Sequence, residues 1–153
     1  MKHTLHYAVE LPLPQKEVFD FFADVANLQR ITPPELDFSI QTPLPITMQE
    51  GTIIDFGLKL LGIPFEWKTE ISAWQPPDMF IDRQVKGPYA EWIHRHRFSS
   101  ISGGNTLMED DVTYSLPGLP LGELAHPLVR SQLERIFRYR QETILKILQG
   151  TGA

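Results

Sequence analysis

Two histidines spaced two residues apart hold most of the chemistry this chain offers. They lie in the run Trp92, Ile93, His94, Arg95, His96, Arg97 and Phe98. Strict alternation places Trp92, His94, His96 and Phe98 on one face of a strand and Ile93, Arg95 and Arg97 on the other. The face with two arginines meets water, so the histidine face points inward. Buried imidazoles need hydrogen-bond partners or a wet cavity. Two carboxylates fall within reach if the neighbouring strands pair in the obvious register. A hairpin closed at Lys86 to Tyr89 sets Asp82 opposite His94, and the next hairpin sets Asp110 opposite His96. Directly opposed side chains can hydrogen-bond, giving two cross-strand Asp–His pairs. A slip by one residue would bury Arg95 and Arg97 and expose Trp92 and Phe98, so this register is well specified.

Such pairs support three kinds of chemistry. An Asp that fixes the tautomer of His94 or His96 makes that ring a general acid or base near neutral pH. The same groups can contact a bound molecule, or form a satisfied polar network that fixes the sheet. A third arrangement, a metal held by His94, His96 and one of Asp82 or Asp110, has the right donor types. It is set aside because one carboxylate for each ring better suits a hydrogen-bond network. No metal site and no cofactor are expected, and the catalytic candidates are His94, His96, Asp82 and Asp110.

A further charge sits where none is expected. At about 100° per residue, Val129, Leu133, Ile136, Phe137, Ile144, Ile147 and Leu148 form an apolar stripe on a C-terminal helix. Arg140 falls near its centre, whereas Arg135, Arg138 and Glu142 fall on the opposite side. A guanidinium cannot be neutralised, so Arg140 must find a carboxylate, an anionic ligand or water. Trp67, Thr69, Gln84, Trp92 and Tyr114 also fall on inward faces. Apolar walls with a few polar tips are the usual make-up of a small-molecule pocket. The expected ligand-binding set is therefore Trp67, Thr69, Asp82, Gln84, Trp92, His94, His96, Asp110, Tyr114 and Arg140. His3, His6 and His126 fall near ends or loops and carry no signal.

The elements that must position these residues are legible between prolines. A strand is expected at about residues 3–10. A helix starts with Pro14 at its first position and carries Val18, Phe21, Phe22, Val25 and Leu28 at helical spacing. It is broken near Asp24, which can cap a second short helix, and Thr32-Pro33-Pro34 ends it. Strand signals follow over 38–41, 52–60, 65–73 (Phe65, Trp67, Thr69, Ile71 and Ala73 inward), 79–86, 89–98 and 106–116. After Pro120 the helical period runs to Leu148, with Gly150 as a stop.

Composition narrows the classes. A chain of 153 residues fits one domain, 1–153. With 14 basic against 19 acidic residues, the net charge of −5 argues against a nucleic-acid partner. No cysteine is present, which excludes disulfides, thiolate metal sites and a cysteine nucleophile. No segment is apolar enough for membrane insertion, and no signal peptide is evident, so a cytoplasmic location is expected.

One strand, two short helices, about six antiparallel strands and a long helix give an α+β fold in which the sheet curls around the helix. The chain resembles the SRPBCC superfamily, the START-like or helix-grip proteins that include polyketide cyclase/dehydrase types. The resemblance rests on the element order, on Val18-Phe19 opening the first helix, and on Asn27-Leu28 before Thr32-Pro33-Pro34. It rests most on the segment from Phe80 to Phe98, with Asp82, Gln84, Gly87-Pro88, Trp92, His94 and His96 at their spacings. The resemblance implies a hydrophobic small molecule held between sheet and C-terminal helix, and no universal catalytic set. The leading expectation is binding of a lipid-, polyketide- or isoprenoid-like molecule carrying a polar or acidic group, in a cavity opening between that helix and the sheet. The alternative is a cyclase or dehydratase using His94 or His96 with Asp82 or Asp110.

Overall fold

The structure is a computed structural model that describes residues 1–118 and 121–151. Pro120, the expected boundary before the C-terminal helix, lies outside them. Strand β1 (His3–Leu11) is followed by helices α1 (Gln15–Ala23) and α2 (Ala26–Arg30) and a short 3-10 turn (Pro34–Leu36). Strands β2 (Ser39–Ile40), β3 (Ile53–Leu60), β4 (Ile63–Gln75), β5 (Met79–Lys86), β6 (Glu91–Ser100) and β7 (Thr106–Ser115) follow. Helices α3 (Leu121–Leu124) and α4 (His126–Thr151) close the chain. The seven strands form one antiparallel sheet in the order β1-β7-β6-β5-β4-β3-β2. Consecutive strands pair from β2 to β7, and β1 returns beside β7. Among the described residues no helix is long and apolar enough to cross a membrane.

The sheet curls around α4, whose buried residues Leu133, Phe137, Ile144 and Leu148 are the expected stripe. Arg135, Arg138 and Glu142 are exposed on its other side. Beyond β1, the small helices close the other end of the core. Val18, Phe19 and Phe22 of α1 pack with Phe80, Phe98 and Ile144 in one apolar cluster. A second cluster gathers Trp67, Tyr89, Trp92 and Tyr114 with Leu133 and Phe137.

Local chemistry explains the breaks. Pro14 is the N-cap of α1, one position earlier than the sequence suggests, and provides no side-chain cap. The Asp24 carboxylate accepts the Ala26 backbone N–H at 3.0 Å and starts α2, as its type predicts. Asn27 donates to the Phe21 carbonyl at 2.9 Å, folding α2 back on α1. Helix α4 continues one residue past Gly150, so that glycine lies in its final turn rather than beyond it.

One expected face is corrected. Simple alternation puts Ala73 inward, but β4 carries a bulge, with Ile71 opposite Asp82 and Ala73 already opposite Ile81. The extra residue reverses the facing beyond it. Trp74 therefore pairs with Phe80 and packs against Phe19, with ring centroids 5.1 Å apart, while Ala73 falls on Ile81's side.

Phe98 is the keystone between α1 and the sheet, 2% exposed and edge-on to Phe19 at 5.2 Å. Phe98→Ala leaves a cavity that neither element can fill by collapse. It is expected to lower unfolding free energy by about 3–5 kcal/mol, measured by urea denaturation.

Candidate functional site

The histidine face of β6 points into the fold as its alternation requires. Trp92, His94, His96 and Phe98 are all buried, while Arg95 is exposed and Arg97 is half-buried. Outside, Arg97 pairs with Asp111 and Glu109, so the outer face is a charged lattice in contact with water. The registers are those expected: Asp82 lies opposite His94, and Asp110 lies opposite His96.

The hydrogen bonds, however, run along the diagonals. His94 Nε2 bonds Asp110 Oδ1 at 2.7 Å, and His96 Nε2 bonds Asp82 Oδ2 at 2.5 Å. Backbone opposition was expected to set the pairs, but imidazole rings are long enough to reach the diagonal neighbour. The two rings stack with centroids 3.7 Å apart and reach in opposite directions, one toward β7 and one toward β5. A carboxylate can only accept, so each Nε2 carries the hydrogen.

Arg140 enters this cluster from α4. Its Nη2 lies 3.6 Å from Asp110 Oδ1 and 3.4 Å from His96 Nδ1. The guanidinium also stacks over Phe22 and Phe137, with its carbon 5.4 and 5.8 Å from the ring centroids. Cation–π contact of this kind partly replaces lost hydration. The Nε of Arg140 is buried and has no hydrogen-bond partner among the described residues.

The protonation pattern follows from these contacts. Burial alone would raise the pKa of Asp110, but the Arg140 charge and then the His94 hydrogen bond outweigh it and hold the carboxyl below its usual range. Burial opposes ionisation of Asp82 too, and the His96 hydrogen bond and neighbouring positive charge again win. His96 moves the other way. Burial first, and the neighbouring His94 second, push it down to about 4, against the pull of Asp82. It is therefore neutral near pH 7, with Nδ1 free to accept from Arg140.

Beside the cluster lies a cavity of about 180 Å³. Its apolar walls include Leu58, Leu60, Trp67, Trp92 and Phe137, and Asp82, His94, His96 and Arg140 form one polar side. A cavity of about 150 Å³ holds a benzene ring, so this one is sized for a substituted ring or a medium-length chain. Of the expected set, Trp67, Thr69, Asp82, Trp92, His94, His96 and Arg140 line it. The Thr69 hydroxyl is already spent on the Arg83 carbonyl, at 3.0 Å.

Three expected residues do not line it. The Gln84 amide bonds both backbone groups of Tyr89, at 2.7 and 3.1 Å, and fastens the β5–β6 turn. Tyr114 is completely buried, with its hydroxyl 2.8 Å from His126 Nε2. Asp110 lies behind the histidines, only 2% exposed. The sequence reading also missed a wall. Phe22, Leu28, Leu36 and Met48, from α1, α2, the 3-10 turn and the β2–β3 loop, close the chamber. Helical spacing marked Phe22 and Leu28 as inward, but nothing in it separates a cavity wall from filled core. Among the lining residues Asp24 is exposed, and half-buried ones include Asn27, Thr32 and Met48 on the small-helix side and Asp82 and Ile136 where the sheet meets α4.

With the geometry in hand, solved structures supply the comparison. An aromatase/cyclase from Streptomyces sp. R1128 matches with a TM-score of 0.79 at 14% identity, over 97% of this chain and 94% of that one. The fold is the START-like helix grip. A START superfamily protein from Mycobacterium smegmatis matches this helix-grip chain at 0.67 with 14% identity, over 95% of this chain and 99% of that one. Major latex-like protein 151 from Panax ginseng matches at 0.66 with 13% identity, over 96% and 97%. No protein-family model matches the sequence, and no curated protein matches it significantly.

His96 gives the helix grip a testable pH dependence. Between about pH 6.5 and 4, the unfolded chain holds a proton on this residue that the folded chain excludes. Stability therefore falls as pH falls through that window, by on the order of 3 kcal/mol for this group. Urea unfolding measured from pH 7 to pH 4 is expected to show that slope, and His96→Gln is expected to flatten it.

Proposed function

We propose that this protein binds a small hydrophobic molecule carrying an acidic group, with its apolar body in the cavity and its acid directed at Arg140. The observation that carries this reading is Arg140, a permanent charge on the wall of an apolar chamber, whose buried Nε has no hydrogen-bond partner among the described residues. An unmet buried donor is costly, and an anionic acceptor removes that cost. The START-like and latex-like neighbours share the architecture that forms such a chamber.

Decanoate and decanol, titrated against intrinsic tryptophan fluorescence, test it. Trp67 and Trp92 line the cavity and report occupancy. Arg140→Met keeps the volume and removes the charge. It is expected to weaken decanoate by about 10-fold or more, the scale of one charged hydrogen bond, and decanol by less than about threefold. Equal losses for both would remove the acid-binding reading.

A second reading has its own support. Asp110 holds His94 by Nε2, which leaves Nδ1 as the ring's remaining nitrogen, 3.8 Å from Asp82 Oδ2. A carboxylate-oriented imidazole on a cavity wall is an acid–base arrangement, and one neighbour in fold is an aromatase/cyclase. On this reading the protein is a cyclase or dehydratase that moves a proton through His94. His94→Gln is then expected to abolish turnover of a poly-β-ketone mimic with the melting temperature nearly unchanged. A lower melting temperature with unchanged ligand affinity would make His94 structural instead.

A further inference from the structure

We infer that Asp82, His94 and His96 form a binding site for a divalent first-row transition-metal ion, with Asp110 orienting both histidines from behind. Each ring does hydrogen-bond its own carboxylate, His94 to Asp110 and His96 to Asp82, but the carboxylates divide by position, Asp110 behind both rings and Asp82 in front of both. Asp110 Oδ1 lies 2.7 Å from His94 Nε2 and 3.5 Å from His96 Nδ1, so a single carboxylate reaches the rear nitrogen of both rings. The opposite nitrogens, His94 Nδ1 and His96 Nε2, lie 3.8 and 2.5 Å from the same atom, Asp82 Oδ2. The three donor atoms all fall within 4.8 Å of one another.

Exposure divides the four residues in the same way. Asp82, His94 and His96 line the cavity, and Asp110 does not. Asp82 is about one-fifth exposed, whereas Asp110 is sealed. Metal-bound histidines characteristically give their other N–H to a carboxylate, which fixes the tautomer and raises ligand basicity. Two imidazoles and one carboxylate on one side of an ion leave coordination positions open on the other. Here that side is the cavity, so the ion would take an oxygen donor from a bound molecule.

The adjustments are small. Ligand bonds of about 2.1 Å set donor atoms about 3 Å apart. The Asp82–His96 contact lengthens and the Asp82–His94 contact shortens, by side-chain rotation. His96 moves its proton from Nε2 to Nδ1, where Asp110 accepts it, and Arg140 Nη2 gives up its 3.4 Å contact to that nitrogen and stays on Asp110. No net proton is released by His96. Two carboxylates offset the ion, and Arg140 supplies the remaining charge for an anionic ligand.

Metal binding is measured without any organic molecule, so its outcome is independent of the hydrophobic-ligand reading. Chelator-treated protein is titrated with Co²⁺, followed by its visible absorption, and with Zn²⁺ by calorimetry and thermal melting. The expected result is one equivalent bound and a raised melting temperature. Asp82→Asn is expected to weaken binding at least ~100-fold, and Asp110→Asn, which keeps every donor to the ion, ~10–100-fold. Should Asp82→Asn melt below the assay temperature, His94→Gln reads the same loss.

A second His and Glu grouping supplies the control. His3 Nε2 lies 2.9 Å from Glu123, and its ring stacks on His126 at 3.6 Å, away from the cavity. His3→Gln is expected to change nothing. No stoichiometric Co²⁺ or Zn²⁺ binding would overturn the inference. So would binding that survives Asp82→Asn and His94→Gln, or that disappears with His3→Gln.

Discussion

The rest of the interior is arranged around one charge that cannot be switched off. Arg140 sits in the middle of the stripe by which α4 grips the sheet, and no accessible pH neutralises it. Asp110 supplies the countercharge, yet a lone carboxylate in that position would itself be costly to bury. His94 shares the load by donating to Asp110, and His96 accepts from the same guanidinium nitrogen, Nη2, that faces Asp110, while donating to Asp82. Each group is tolerable because of its neighbour. The cluster therefore behaves as a unit, and changes to its members will not add.

The unit also fixes geometry. It ties β5, β6, β7 and α4 together at one point, while the aromatic cluster around Trp67 and Trp92 forms the apolar side of the chamber. Polar groups at one side and rings along the others would give the proposed ligand an orientation as well as a volume. An apolar plug in place of the five polar residues would cost no stability by the usual measure, since replacing buried ion pairs with well-packed hydrophobics is often neutral or stabilising. Their presence makes functional sense if something else in the chamber uses them.

Most of this was legible where one periodicity governs. The inward face of β6, its register against β5 and β7, and the anomaly of Arg140 followed from alternation and helical spacing alone. The sequence failed where a local detail overrides the period. The β4 bulge reversed Ala73 and Trp74, and no residue type there announces it. The diagonal hydrogen bonds of His94 and His96 depend on ring rotation, which register does not determine. Gln84 and Tyr114 face inward as expected, but their polar atoms are claimed by the β5–β6 turn and by His126. His3 and His126, without signal in the sequence, meet only because α3 and α4 bring distant segments onto β1. The α1–α2 wall cannot be told from core in the sequence, because a half-filled interior and a filled one share the same hydrophobic pattern.

The chamber's two sides differ in how they are built. On one, strands of eight to ten residues are hydrogen-bonded to neighbours along both edges. On the other stand α2 with five residues, a three-residue turn and the loop that carries Met48. Short elements have few backbone bonds to break, and such segments open at a fraction of the global unfolding free energy. On the proposed binding role, the stiff side keeps the polar cluster in register while the weakly bonded side is the one that yields to a guest. Under that role, exchange with solvent and fidelity of recognition fall to different parts of one small chain.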